Sequence, residues 1–247
     1  MDIPLIIWIN LDKDYHRNEY MIKSFKKYGL KNKRLSAISG DKYEISYLND
    51  RFKRNQIACS SSHLKAIKYY VDNYSSIGDY CLIAEDDIDI SSIELWSKSF
   101  WDYLKIFKNV DWNTLQLQTY SVNSILRHFY KKFNISEPYK RVINDYHGTG
   151  IYLIKYKRAK HILKELSIID EQPYIERFIN DSDYYNLMNN TKKIHADHNL
   201  IYDNKTYILP LFFLQENINS SISQDIDYND FQQKNNLRIK SFMKQLL

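Results

Sequence analysis

Hydrophobic positions change their period several times along this chain, and each change predicts an element. Pro4 to Asn10 (PLIIWIN) is a continuous apolar run, the pattern of a strand covered on both faces. Met21, Ile22, Phe25 and Tyr28 then recur at helical spacing and stop at Gly29, a residue suited to the left-handed turn that ends helices. RLSAIS (34–39) predicts a short second strand. SSSHLKAIKYYVDNY (60–74) predicts a helix with its serines as caps and with Leu64, Ile67 and Val71 on its apolar face. YCLIAEDD (80–87) reads as another strand, and SSIELWSKSFWDYLKIF (91–107) as a Ser-capped helix with a broad apolar face. TLQLQTY (114–120) alternates strictly, so a half-buried strand is expected there. GTGIYLIK (148–155) is a strand entered through two glycines, and YKRAKHILKEL (156–166) a helix straight after it.

Strands alternate with helices and no repeat or Gly/Ser linker interrupts them. This predicts a single α/β domain over residues 1–224 with a mixed, mostly parallel sheet. Residues 225–247 turn polar and predict a C-terminal amphipathic helix. It has Ile239, Phe242, Met243, Leu246 and Leu247 on one side, and Arg238, Lys240 and Lys244 mainly on the other. Such a basic helix can lie on a membrane surface as a peripheral contact; packing on its own domain is the favoured expectation.

Composition narrows the classes. With 247 residues, 44% of them hydrophobic, the chain can bury a sizeable core, and no apolar run is long enough to cross a membrane. Two cysteines, Cys59 and Cys81, make no disulfide framework and no cysteine zinc cluster, so a reducing cytoplasm is the expected compartment. The net charge of +5 is spread along the chain with no basic-aromatic patch. That balance suits anionic small substrates or a plain solvated surface, and no nucleic-acid partner is expected.

The chemistry concentrates in YCLIAEDDIDI (80–90), where an apolar strand runs into four carboxylates with no Lys or Arg among them. Strand alternation sends Glu85 and Asp87 to one side and Asp86 to the other, while Asp89 is expected at the periphery. Ligands of open α/β sheets bind beyond the carboxyl ends of strands, and an acid-x-acid pair there can share a hard divalent cation. Without one, the carboxylates repel and at least one pKa rises. Solvated or helix-capping acids are the plainer explanation, and metal-dependent phosphohydrolases or nucleases use similar clusters.

Six segments in order carry a more specific likeness: IWINLDKDYHRNEYMIKSF (7–25), RLSAISG (34–40), ACSSSHLKAIKYY (58–70), LIAEDDIDI (82–90), GTGIYLIKYKRAKHIL (148–163) and LPLFFLQENINSSI (209–222). The set resembles glycosyltransferase family 25, which includes bacterial lipopolysaccharide glycosyltransferases and collagen galactosyl- and glucosyltransferase domains. Ala58 departs from it, standing where the family usually has Gly. The resemblance implies a GT-A-type, Rossmann-like α/β/α sandwich. It implies inverting transfer of a hexose, galactose or glucose, from a UDP-sugar donor to a glycan, lipid-linked or protein acceptor, with Mn²⁺ or Mg²⁺ on the donor diphosphate.

On that reading Asp87 and Glu85 hold the metal, joined by a late histidine, His198 or its neighbour His195. Asp86 meets a donor hydroxyl. Asn10, Tyr15 and Arg17 lie in the first strand-to-helix loop, where Tyr15 stacks on uracil and Arg17 pairs with a phosphate or anchors the loop. Alternatively, Asn10 and Asp14 only cap the first helix. His63, placed at a helix start, is a donor-site residue or a packed core histidine. Gly148 and Thr149, after His147, border the sugar pocket or make a tight turn. Gln215, with Ser220 and Ser221, lines the nucleotide side or fixes the final loop. Asp183, with Asp181 as alternate, is the general base that takes the acceptor proton. The acceptor contacts are expected in residues 120–146. A nucleotide- or glycan-binding module of the same fold, without turnover, is the rival reading.

Overall fold

In the computed structural model, residues 2–42, 51–119, 139–140, 148–166, 182–191, 195–196, 200–216 and 226–244 are described. The apolar run Ile6–Asn10 is strand β1, buried throughout, and helix α1 (Tyr15–Tyr28) follows it. Gly29 ends α1 at φ 62°, the left-handed position that favours glycine, and its N–H closes on Lys26. Strand β2 (Asn32–Ser36), helix α2 (Arg51–Asp72), helix α3 (Tyr74–Ile77), strand β3 (Tyr80–Glu85) and the short strand β4 (Ile88–Asp89) come next. Helix α4 (Phe100–Leu104), β5 (Thr114–Gln116), β6 (Tyr139–Lys140), β7 (Ile151–Lys155) and α5 (Tyr156–Glu165) continue the chain. It then runs through α6 (Ser182–Asn190), β8 (Thr206–Ile208), β9 (Phe213–Leu214) and α7 (Ile226–Met243).

The main sheet has the order β2-β1-β3-β7-β5-β8-β6. β1 pairs in parallel with β2 and β3, and β5 with β8, whereas β7 and β6 run against their neighbours. The sheet is therefore mixed, with most strands pointing one way. Alternation along the central strands splits the core into two layers. Ile6, Trp8, Leu82, Ala84 and Leu153 pack with Met21 and Phe25 of α1 and Phe100 of α4. Ile7, Ile83, Tyr152 and Ile154 pack with Ile57, Leu64 and Ile67 of α2 and Ile162 of α5. Helices cover both faces, as a sheet with continuous apolar strands requires.

Four expectations are corrected. Helix α2 begins at Arg51, so Ser60, Ser61 and Ser62 are buried in mid-helix and cap nothing. The Ser61 and Ser62 hydroxyls instead donate to the carbonyls of Ile57 and Ala58 one turn back, at 2.8 and 2.7 Å. His63 is accordingly a mid-helix residue. Residues 91–107 are not one helix: a 3-10 segment, Ile90–Leu95, is capped by Asp89, Trp96 is extended, and Ser99 caps α4. The Trp96 indole N–H donates to Leu211 O at 2.9 Å, which holds the break open. Asp89 is itself buried, taking bonds from Ser91 N at 3.0 Å and Tyr20 Oη at 3.1 Å, so it is a structural hub. Finally, β5 is buried on both faces: Leu115 and Leu117 join the α1-side core, and Thr114, Gln116, Gln118 and Thr119 lie inside as well.

The C-terminal helix packs on the domain. Ile239 joins the α1-side core, the Asn236 amide clasps the Leu214 backbone, and Lys240 reaches Asp89 at 3.3 Å and Glu216 at 3.0 Å. Lys240 therefore belongs to the docked side, leaving Arg238 and Lys244 exposed. No helix among the described residues is long and apolar enough to cross a membrane.

Candidate active site

Register brings three strand ends to one edge. Asn10 pairs with Ser36, and Ile9 with Glu85, so β1, β2 and β3 finish together. The antiparallel strand β7 begins there too: Glu85 N–H donates to Gly150 O at 2.7 Å. A cleft open to solvent lies at this edge. Its walls come from Asn10 and Leu11 after β1, Ala37 to Asp41 after β2, Cys59 and His63 of α2, and Glu85 and Asp86.

The carboxylates separate as strand alternation predicts. Asp86 turns to the α1 side, where it accepts from Asn10 Nδ2 at 2.6 Å and from Arg17 Nη1 at 2.8 Å. Asn10 is in turn held by Arg34, whose Nη2 donates to Asn10 Oδ1 at 2.7 Å and to Asp12 at 2.7 Å. Burial pushes the Asp86 carboxyl above the usual carboxylate range, with Arg17 and Asn10 pulling against it. Burial also works against the Arg17 charge, but Asp86 and Asp87 outweigh it and its pKa rises. The guanidinium itself stays protonated in any case. Arg17 thus ties the first turn of α1 to the acidic turn.

Glu85 turns to the α2 side. It accepts from the Thr149 hydroxyl, and its Oε1 lies 3.4 Å from His63 Nε2. The other ring nitrogen of His63 is 3.2 Å from the Tyr152 hydroxyl. Asp87, next along the chain after Asp86, is half-buried. Its Oδ1 is shut off from water with no hydrogen-bond partner. Burial, with the repulsion of Glu85 and Asp86 added, pushes its carboxyl up to about 8. A buried carboxylate oxygen left unpaired among like charges is the environment a cation satisfies, so the residues present fit a hard divalent ion.

Gln215 fixes the turn that carries these acids. Its Nε2 donates to Asp86 O at 3.0 Å and Ile88 O at 3.3 Å, and its backbone N–H to Asp87 O at 2.8 Å. Gln233 of α7 reaches Gln215 O at 3.4 Å, so the C-terminal helix backs the acidic turn. Gly148, at φ 114°, takes bonds from Gln116 Nε2 and the Tyr202 hydroxyl on its carbonyl, which sets the approach to Thr149.

The structure gathers Asn10, Arg17, His63, Glu85, Asp86, Asp87, Thr149 and Gln215 at or beside this edge. Tyr15 is 60% exposed with its ring on His16 at 4.0 Å. Asp183 is exposed in the first turn of α6, and no contact among the described residues links it to the acids. Asp181, His147, His198, Ser220, Ser221 and the segment 120–138 and 141–146 lie outside the described residues. Sequence reasoning missed Arg34, Cys59 and Tyr152. Arg34 shows only as a basic residue on a short strand. Cys59, four residues before His63 at helical spacing, was the one legible signal.

A water-accessible cleft at the carboxyl ends of adjacent strands, floored by acids, defines an α/β protein of the ligand-binding kind. The chain belongs to glycosyltransferase family 25: the model of that family, described as an LPS biosynthesis protein family, matches residues 3–175. It is a glycosyltransferase. Among solved structures it is similar to a glycosyltransferase involved in the glycosylation of the major capsid of PBCV-1. That similarity stands at 9% identity and a TM-score of 0.34, covering 83% of this chain and 80% of that one. No curated protein matches.

Proposed function

We propose that this glycosyltransferase is a GT-A-type, metal-dependent, inverting hexosyltransferase. It would move galactose or glucose from a UDP-sugar to a hydroxyl of a glycan, lipid-linked or protein acceptor. The observation that carries the reading is the orphaned Asp87 oxygen among Glu85 and Asp86, beside a cleft at the carboxyl ends of the parallel strands.

Asp87 and Glu85 would hold Mn²⁺ or Mg²⁺, with His198 or His195 as a third ligand. Such an ion supplies positive charge to the departing nucleoside diphosphate. Asn10, Arg17 and Gln215 brace the turn so that Asp87 need not reorganise. Tyr15, exposed on the first turn of α1, offers a ring for the uracil. Asp183, or Asp181, takes the proton of the acceptor hydroxyl as its oxygen attacks the anomeric carbon. Asp183 stands in the first turn of α6, at the positive end of the helix dipole.

The test is sugar release or transfer from a panel of UDP-hexoses with Mn²⁺ or Mg²⁺. Asp87→Asn should cut kcat/KM by about 100-fold or more, the size of effect that removing one electrostatic stabiliser produces. Metal-independent turnover, or an Asp87→Asn enzyme as active as the parent, would contradict the reading.

A further inference from the structure

Helix α2 faces the end of β3 with a donor set that the acidic turn does not explain. Cys59 and His63 stand four residues apart on one face of α2. The Cys59 sulfur, a His63 ring nitrogen and a Glu85 carboxylate oxygen all lie within 4.8 Å of one another. We propose that Cys59, His63 and Glu85 bind a thiophilic divalent cation of the Zn²⁺ class in the wall of the cleft, with Glu85 Oε1 facing this ion and the same carboxylate shared with the oxygen position beside Asp87.

The donor types select the ion. Thiolate, imidazole and carboxylate are Zn²⁺ ligands, whereas Mg²⁺ and Mn²⁺ favour oxygen sets. Supporting contacts are in place for each side of the site. The Tyr152 hydroxyl stands 3.2 Å from His63 Nδ1, which leaves Nε2 as the ring atom turned to Glu85. The Thr149 hydroxyl donates to Glu85. Outer contacts of this kind orient ligands at metal centres. Burial pushes the Tyr152 phenol far up, so it stays a neutral hydroxyl.

His63 Nε2 supplies the independent observation. The side chain is 1% exposed, yet this nitrogen makes no hydrogen bond, and Glu85 Oε1 at 3.4 Å is misaligned for one. A buried ring nitrogen aimed at a carboxylate and a thiol without bonding either is accounted for by an ion between them. Bonds of about 2.0–2.3 Å around a tetrahedral ion put ligand atoms roughly 3.5 Å apart, so closing the site needs shifts on the order of 1 Å. Cys59 is half-buried and lines the cleft, so the fourth position opens toward ligand or water. Cys81, the other thiol, is fully buried under the sheet and does not compete.

The experiment uses the full chain, stripped of metal, and reads binding alone, so its outcome is independent of transfer activity. Zn²⁺ is titrated against a chromogenic chelator, and Co²⁺ is added separately as a spectroscopic probe. The expected result is one tight Zn²⁺ per chain and a thiolate-to-Co²⁺ charge-transfer band. Cys59→Ser should abolish the band. It should also weaken Zn²⁺ binding beyond the roughly 10- to 100-fold that outer-contact changes cost. His63→Gln should weaken binding likewise. His161→Gln is the control, because His161 and Glu165 form an exposed pair at 3.4 Å that could pick up Zn²⁺ on the surface. Melting of the metal-free Cys59→Ser chain at the parent temperature confirms that the fold is kept. Should that variant melt early, His63→Gln and Co²⁺ absorption of the parent carry the test. Absence of the charge-transfer band in the parent, or Zn²⁺ binding lost in His161→Gln and kept in Cys59→Ser, overturns the proposal.

Discussion

Replacing Asn236 by alanine tests how the C-terminal helix supports the rest of the molecule. Asn236 is 2% exposed. Its Oδ1 accepts from Leu214 N–H at 3.0 Å and its Nδ2 donates to Leu214 O at 2.9 Å. Among the described residues β9 pairs only with β4, and this one amide stands where a further strand would bond. Asn236→Ala leaves a buried N–H and a buried C=O unpaired, and each costs about 1–3 kcal/mol. Allowing for partial rescue by water at the carbonyl, the loss is ~2–4 kcal/mol. For a chain of this size each kcal/mol moves the melting temperature by roughly 2–4 °C, so a fall of about 4–16 °C is expected. Urea unfolding with an unchanged m-value gives the free energy directly. A change in Asn236→Ala below about 0.5 kcal/mol, the scale of ordinary surface substitutions, would refute the reasoning.

Three further outcomes follow from the site. Asp87 titrates at an ordinary 3.8 when unfolded and at about 8 when folded, so between those values the folded chain holds a proton that the unfolded chain has released. The stability this proton supplies is complete at acid pH and is lost as pH rises through about 8; Asp87→Asn should flatten the metal-free melting temperature from about pH 6 to about pH 9. Arg17→Gln removes the charged partner from an Asp86 side chain that is 9% exposed; thermal unfolding should show a loss of ~2–4 kcal/mol, and an unchanged melting temperature would deny the brace its role. A Cβ at Gly40 would stand 2.6 Å from Asn55 Oδ1 and 3.0 Å from the Arg54 backbone, so Gly40→Ala should cost about 1–3 kcal/mol by denaturant unfolding and widen the cleft wall.

How much of this was legible depended on the range of the interactions. β1, α1 with its Gly29 stop, β3, β7 and α5 were readable because period and end signals are local and agree with the packing. The acidic turn was readable for the same reason, being an apolar strand that ends in charge. The start of α2 was not: serines read as caps from sequence, but here burial and back-bonding to Ile57 and Ala58 absorb them. The break at Trp96 rests on Leu211, 115 positions away, and nothing local announces it. Strict alternation in TLQLQTY suggested one wet face, yet the layers packed on the two sides of the sheet leave neither face wet. Likewise the roles of Arg17, Asn10 and Gln215 follow from bonds across 69 to 129 positions, which spacing cannot show.

The central claim is that the cleft at the ends of β1, β2 and β3 binds a nucleoside diphosphate through a divalent cation at Asp87. Its most direct test is the melting temperature of the parent chain and of Asp87→Asn with UDP, each with and without Mn²⁺. At a hundred times its dissociation constant a ligand stabilises the fold by ~2.7 kcal/mol, a rise of several degrees here. The account predicts that rise for the parent only when UDP and Mn²⁺ are both present, and its loss in Asp87→Asn. A UDP response that needs no metal, or that survives intact in Asp87→Asn, would contradict it.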